Sequence, residues 1–275
     1  MNTMELNQLR TFTNGLPNTE KMPVLFLGHG SPMNAIEEND FVNGWRKVGQ
    51  SIPKPAAIIC ISAHWETSGT KVTAVPHPKT IHDFFGFPPE LFAVQYPAPG
   101  SPELANELSE VINAAPVEPD RMWGLDHGAW SVIKFLYPDA DIPVIEFSID
   151  VHKSPREHYE LARELQYLRH KGVLIIGSGN IVHNLRMMNW HQPETGYDWA
   201  VESNETFKNF LVQDKQEELL NFQNINSSNR MSVPTAEHYI PSLYTYALRE
   251  NNDDLKIFND QLIYGSIGML SFQIG

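Results

Sequence analysis

The chain predicts an α/β layered fold, a central mostly parallel or mixed sheet flanked by helices, on three observations. Short apolar runs rich in β-branched residues alternate with segments whose apolar residues recur every three to four positions. No Gly/Ser-rich or Pro-rich linker and no repeat of fixed period divides the 275 residues. With 41% hydrophobic residues, the chain can bury one sizeable core. Residues 22–275 are therefore expected to form a single α/β domain, preceded by a polar N-terminal leader over 1–21.

The leader, "MNTMELNQLRTFTNGLPNTEKMP", lacks the apolar core of a secretory signal and is expected to join the fold near Met22. "VLFLG" then reads as a buried strand, and "FVNGWRKVGQSI" as a helix with Phe41, Trp45 and Val48 on one face. "AAIICIS" and "KVTAV" are strands, and "SPELANELSEVI" is a helix that presents Leu104, Leu108 and Val111. "HGAWSVIKFLY" has helical spacing, and "IPVIEFSI" is again a strand. "SPREHYELARELQYLRH" carries the best helix signature: Ser154 as N-cap, Pro155 at the first position and Glu157 closing a capping box. "GVLIIGSG" is a strand, "AEHYIPSLYTYALRE" a helix that Pro241 must kink or delimit, and "LIYGSIGMLSFQIG" a strand interrupted by Gly265 and Gly268.

Charge narrows the function. A formal net charge of -13, from 33 acids against 20 bases, disfavours nucleic acid or an anionic membrane as partner and favours a small molecule. The single cysteine, Cys60, lies in an apolar run and cannot form an intrachain disulfide, which suits the cytoplasm. It reads as a packed small hydrophobe rather than a nucleophile.

Three runs share one layout: apolar strand, small residues, histidine. They lead to His29, His64 and His183. In open α/β sheets, ligands bind beyond the carboxyl ends of parallel strands, so parallel neighbours would bring the three rings together. Gly28 and Gly30 leave room at His29 for a sharp turn and for a metal or substrate. The competing reading is a histidine that fills the core. Asp126 and His127 in "WGLDHGAW" read either as a carboxylate that orients an imidazole or as a helix cap beside an incidental histidine. His238, next to Glu237 in "VPTAEHYIPSLY", reads equally as a surface residue. His77, His82, His152, His158, His170 and His191 read as mostly solvated. A cluster of neutral imidazoles suits a transition metal rather than magnesium or calcium. No Cys-rich zinc motif, P-loop or dinucleotide fingerprint is present, and "GHGSP" is not a nucleophile elbow.

"GHGSP", "SAHW", "IHDFFGFPPEL", "YPAPGSPELA", "GLDHGAW", "GSGNIVHNL", "PTAEHYIPSLY" and "GSIGMLSFQIG", in that order over residues 22–275, resemble the 4,5-DOPA extradiol dioxygenase family of class III, LigB-type ring-cleavage enzymes. The resemblance implies a catalytic domain that opens a catechol, DOPA-like, to a semialdehyde with dioxygen. It implies His29, His64 and His238 as metal ligands, and His183 as acid/base and as a fourth ligand in some metal-loaded states. His127 would stand on the other side of the substrate, with Ser31, Phe85 and Asp126 at its binding site. Phe84 and Phe87 are further candidates for the pocket wall, or loop packing residues. Fe(II) is the implied cofactor for activity, and Zn(II) the metal expected in purified protein, because nitrogen-rich sites bind it well. The expected partners are the catechol and dioxygen, with no nucleic acid and no membrane; no pattern in the chain specifies an oligomer. A zinc-dependent hydrolase on the same scaffold, and a metal carrier without turnover, are the alternatives.

Overall fold

The computed structural model describes residues 11–275. The first ten residues of the expected leader lie outside the described residues. The rest of the leader joins the fold before Met22: Thr13 is buried, and its backbone N–H and hydroxyl both donate to the Glu107 carboxylate, at 3.0 and 2.5 Å.

Eight strands form one mixed sheet in the order β4-β3-β5-β2-β6-β1-β10-β7. Its centre is parallel: β5 (Val144–Asp150), β2 (Ala57–Thr67), β6 (Val173–Gly179) and β1 (Val24–Gly28). One flank adds β3 (Thr70–Thr73), antiparallel to β5, and β4 (Val117–Asp120) beside it. The other adds β10 (Ser271–Ile274), antiparallel to β1, and β7 (Leu255–Phe258). A hairpin of β8 (Leu262–Ile263) and β9 (Ile267–Gly268) stands apart. The edge strands β4 and β7 carry little apolar signal and are not among the predicted elements.

Side chains of the central strands alternate between two apolar layers, as period-2 geometry requires. Val24, Phe26, Ile59, Ile61 and Ile175 enter one layer, and Leu25, Leu27, Ile58, Cys60 and Ile176 the other. Burial pushes the Cys60 thiol well up, so it is inert packing. The first layer packs against α2 (Pro102–Val111), α4 (Pro155–Arg163), α5 (Asp198–Val212) and α6 (Ile240–Ala247). The second packs against α1 (Asp40–Ser51) and α3 (His127–Leu136).

The capping box of α4 forms as expected, but the helix stops at Arg163 and tightens into a 3-10 segment at Gln166–Lys171. Helix α6 begins at Ile240, four residues later than the pattern suggests, because Pro241 fits only its first turn. Among the described residues no helix is long and apolar enough to cross a membrane.

Candidate metal centre

The parallel order β2-β6-β1 brings the strand-end histidines together at the carboxyl edge of the sheet. His29 follows β1, with its backbone N–H on the Gly179 carbonyl at 3.1 Å. His64 sits inside β2, which runs further than its apolar run suggests. His238 precedes α6 and arrives because Gly179 lets two backbones touch. A Cβ at Gly179 would lie 2.2 Å from the His238 carbonyl oxygen, which instead accepts from Asn180 N–H at 2.9 Å. Gly30 does adopt a left-handed φ of 62°. Gly28 serves another purpose than the one expected: its missing side chain makes room for the Met269 backbone, 2.6 Å from a would-be Cβ, not for a ligand.

Candidate donor atoms of His29, His64 and His238 lie within 4.8 Å of one another. The hydrogen bonds behind the rings settle which nitrogen is free. Ser178 donates its hydroxyl proton to the Gly128 carbonyl at 2.5 Å, so at 3.0 Å from His29 Nδ1 it can only accept. His29 therefore carries its proton on Nδ1 and leaves Nε2 bare. In the same way the Glu237 carboxylate accepts from His238 Nδ1–H at 3.1 Å. His64 Nε2 stands 3.2 Å from His29 Nε2. Two buried imidazole edges facing each other at that distance need a shared proton or a cation, and oriented second nitrogens are the usual support of metal-binding histidines. Burial, then the neighbouring imidazoles, hold His29, His64 and His238 below the usual histidine range, so all three are neutral donors at neutral pH. A transition metal fits this set.

His183 stacks on His238 with ring centroids 3.5 Å apart, and burial lowers it to about 4. Its donor atom lies within 4.8 Å of those of Glu237 and His238, beside the three-histidine set, a position open to proton transfer or to a fourth ligand place. His127 opens α3, its ring 3.9 Å from that of His64. Asp83 holds it twice, accepting its backbone N–H and its Nδ1–H, both at 2.8 Å.

Asp83, the carboxylate that meets the His127 ring, is the residue at this site that the sequence reading misses. The candidate there is Asp126, which the structure turns away from the cavity. Asp126 is fully buried, caps α3 through Ala129 N–H at 3.1 Å and accepts from the Ser62 hydroxyl at 2.6 Å. Its own N–H donates to Glu146 at 2.7 Å, and burial raises both carboxyls, reinforced at Asp126 by the Asp83 charge and at Glu146 by the Asp126 charge.

A cavity of 360 Å³ opens over the histidines, lined by His29, His64, His183 and His238 and by Ser31, as expected. Phe87 lines it and Phe85 does not. Phe85 is 91% exposed, because its side chain leaves the loop on the solvent side. Phe84 packs edge-on against His127 with centroids 5.5 Å apart. His158, expected to be solvated, is buried.

Residues 23–268 match the family described as the catalytic LigB subunit of aromatic ring-opening dioxygenase. The chain is similar to a 4,5-DOPA dioxygenase extradiol of Escherichia coli (strain K12), at 45% identity over 262 residues, covering 94% of this chain and 96% of that one. It is also similar to a 4,5-DOPA dioxygenase extradiol of Beta vulgaris, at 38% identity over 231 residues, covering 78% and 82%. Among solved structures, the crystal structure of an uncharacterized protein from Escherichia coli K12 superposes with a TM-score of 0.81 at 42% identity, over 93% of this chain and 100% of that chain.

Proposed function

This ring-cleaving dioxygenase belongs to the family of the catalytic LigB subunit of aromatic ring-opening dioxygenase, and from that premise we propose that His29, His64 and His238 hold iron(II) for extradiol opening of a catechol. The observation that carries the ligand assignment is the convergence of three neutral imidazoles, with bare Nε2 edges fixed on His29 and His238 by Ser178 and Glu237. The relatives' names point to a substrate of the DOPA class and lend nothing to a zinc hydrolase or a silent metal carrier. Iron(II) bound there would acidify the catechol hydroxyls and pass electron density from substrate to dioxygen.

The chain's own residues supply the rest. His183, neutral because burial holds it near 4, accepts the proton that leaves a catechol hydroxyl and returns it when the ring opens. His127 has Nδ1 committed to Asp83, so only its Nε2 edge is left to hydrogen-bond oxygen on the far side of the substrate. Ser31 lines the cavity floor while its side chain caps the following turn through Met33 N–H at 3.2 Å, which fixes its place against the ring. Both oxygen atoms of dioxygen end in an open-chain semialdehyde. The one buried thiol fits the cytoplasm as its location.

The test is anaerobic loading with iron(II), then oxygen uptake with a catechol panel, watched for a yellow ring-opened product. The same donors suit zinc(II), so protein purified without added iron is expected to carry zinc and consume no oxygen. His183→Ala should keep its iron and lose ~10²–10⁴-fold in turnover, the span of general acid–base catalysis. Loss of iron together with activity would move His183 into the ligand set.

A further inference from the structure

Beside His127 lie two carboxyl groups that the reaction does not use. Glu146, in β5, and Asp126, just before α3, are both wholly buried. Among the described residues, the donors that reach them are all neutral. Trp123 Nε1–H and Asp126 N–H donate to Glu146 at 3.1 and 2.7 Å, and the Ser62 hydroxyl and Ala129 N–H donate to Asp126 Oδ1 at 2.6 and 3.1 Å. Asp126 Oδ2 is buried with no partner among them. Buried polar atoms are nearly always paired, so this oxygen requires a donor.

The two side chains are themselves in hydrogen-bond contact. Two carboxylates cannot meet in that way without a cation or a proton between them, because buried like charges do not both ionise. The surroundings decide which group holds the proton. Asp126 caps a helix of ten residues, whose amino end favours a negative charge, whereas Glu146 sits in mid-strand with no helix end beside it. Burial, then the Asp126 charge, push the Glu146 carboxyl well above its ordinary range. At Asp126, burial and the Asp83 charge act in the same direction, but hydrogen bonds from Ser62 and Glu146 pull back.

We propose that Glu146 is a neutral carboxylic acid in the folded protein, that its hydroxyl donates to Asp126 Oδ2, and that this proton makes Glu146 a positioning residue for His127. The role of His127 rests on the dioxygenase reading; the proton does not. The path from one to the other is short. Asp126 starts α3, and His127 is the first residue of that helix. Gly128 leaves no slack there, since a Cβ would lie 2.5 Å from Ser62 Oγ and 2.8 Å from the His64 ring. Ser62, whose hydroxyl Asp126 accepts, in turn accepts the His64 backbone N–H at 3.2 Å. One proton therefore braces both the helix that carries His127 and the strand that carries His64. The titratable groups facing the pair are Asp83 and His127 on one side and Cys60 on the other, opposite Glu146 in the β2–β5 register and kept protonated by burial.

The experiment has a spectroscopic arm and a turnover arm. Infrared difference spectra of wild type against Glu146→Gln, in H2O and D2O and without added metal or substrate, read the proton directly. The expected result is a deuterium-sensitive neutral-carboxyl stretch in the wild type from about pH 6 to 9, absent from the variant, although an ordinary glutamate is ionised throughout that range. A carboxylate band in its place overturns the proposal. With iron-loaded protein, Glu146→Leu, which strands Asp126 Oδ2, should lose ~10–100-fold in kcat while iron content and KM for the catechol stay the same. Glu146→Gln, whose amide N–H replaces the acid O–H, should restore most of that loss. Wild-type kcat in Glu146→Leu, or a Glu146→Gln protein as impaired as Glu146→Leu, overturns the positioning role. Glu146→Ala, which leaves room for water, takes its place in the comparison if Glu146→Leu does not fold. If the wild type turns over no catechol, the dioxygenase reading fails, while the infrared arm still decides the proton.

Discussion

Two buried polar clusters lie at opposite ends of the parallel strands, and they differ in whether their groups are used up. Beyond the amino ends, the fully buried Arg169 donates to the Met22 carbonyl at 2.8 Å, the Leu248 carbonyl at 2.6 Å, Asp253 at 2.7 Å and the Ile274 carbonyl at 3.4 Å. Burial alone would raise the Asp253 carboxyl, yet hydrogen bonds from Arg169 and Lys21 hold it at about 2. Beyond the carboxyl ends, His29 and His238 are satisfied on their outer nitrogens by Ser178 and Glu237, and His29 and His64 face each other with Nε2. A closed cluster fastens the chain; an open one waits for a guest. The difference lies in bond accounting, since both clusters are buried.

The largest effect should come from opening the closed side or emptying the open one. His29→Ala is expected to abolish stoichiometric metal binding and, with it, oxygen uptake, while apoprotein stability changes by no more than about 1 kcal/mol, because Ser178 keeps its bond to the Gly128 carbonyl and no charge is stranded. Metal analysis and denaturant unfolding read the two quantities. Arg169→Met should do the reverse: ~3–5 kcal/mol of stability is lost because Asp253 keeps only Lys21 and the Met22 and Leu248 carbonyls lose their buried donor, while the folded fraction keeps its full metal complement. A stable Arg169→Met protein, or a His29→Ala protein that cannot fold, would dissolve the contrast.

Asp83→Asn comes next. Removing the carboxylate behind His127 leaves the ring present but unoriented, and partners of this kind typically account for ~10–100-fold in activity or metal affinity. The expected loss is in kcat with KM for the catechol little changed, and a shifted pH profile; Asp83→Glu should restore part of it. Asp83 also stands 3.6 Å from His64 Nδ1, so metal affinity is measured alongside. A fall in stability with unchanged kcat would assign Asp83 to the fold.

Much of this was legible in the sequence, for reasons that also explain the gaps. Strand ends before His29 and His183 could be read because buried parallel strands are near-continuous apolar runs, and small residues mark where they stop, whereas β2 continues past His64 to Thr67. Strand order could not, since β10 returns beside β1 from 243 residues away and nothing local encodes that pairing. His238 was visible only through its motif: its place depends on a contact with Gly179, 59 residues distant. Asp83 stayed hidden for the same reason, standing 44 residues from His127 while Asp126 sat adjacent to it. Phe87 and Phe85 could not be told apart because loop residues carry no period. Strands β4 and β7 are short and half exposed, and Pro119 in β4 argues against a strand.

His158 sharpens the comparison at the smallest scale, because it is a buried histidine of the closed kind. It lies on α4, whose buried positions also include Leu161 and Ala162, so the helical period did point inward even though charged neighbours suggested solvent. Its Nδ1 meets the Tyr244 hydroxyl at 3.0 Å, and the Asp150 carbonyl also accepts from the ring. Burial lowers it to about 4 despite that carbonyl. Since the folded-state value lies below the ordinary 6.5, the unfolded chain binds the extra proton first as pH falls. The stabilisation is therefore complete above 6.5 and is lost between about 6.5 and 4. Against His158→Gln, which cannot titrate, the wild type should lose roughly 1–3 kcal/mol more stability between pH 7 and 4. Denaturant unfolding of both proteins across that range measures it, with Arg169 and the metal ligands intact in each. Parallel stability curves would mean that His158 stays accessible to protons in the folded state and does not belong to the closed kind.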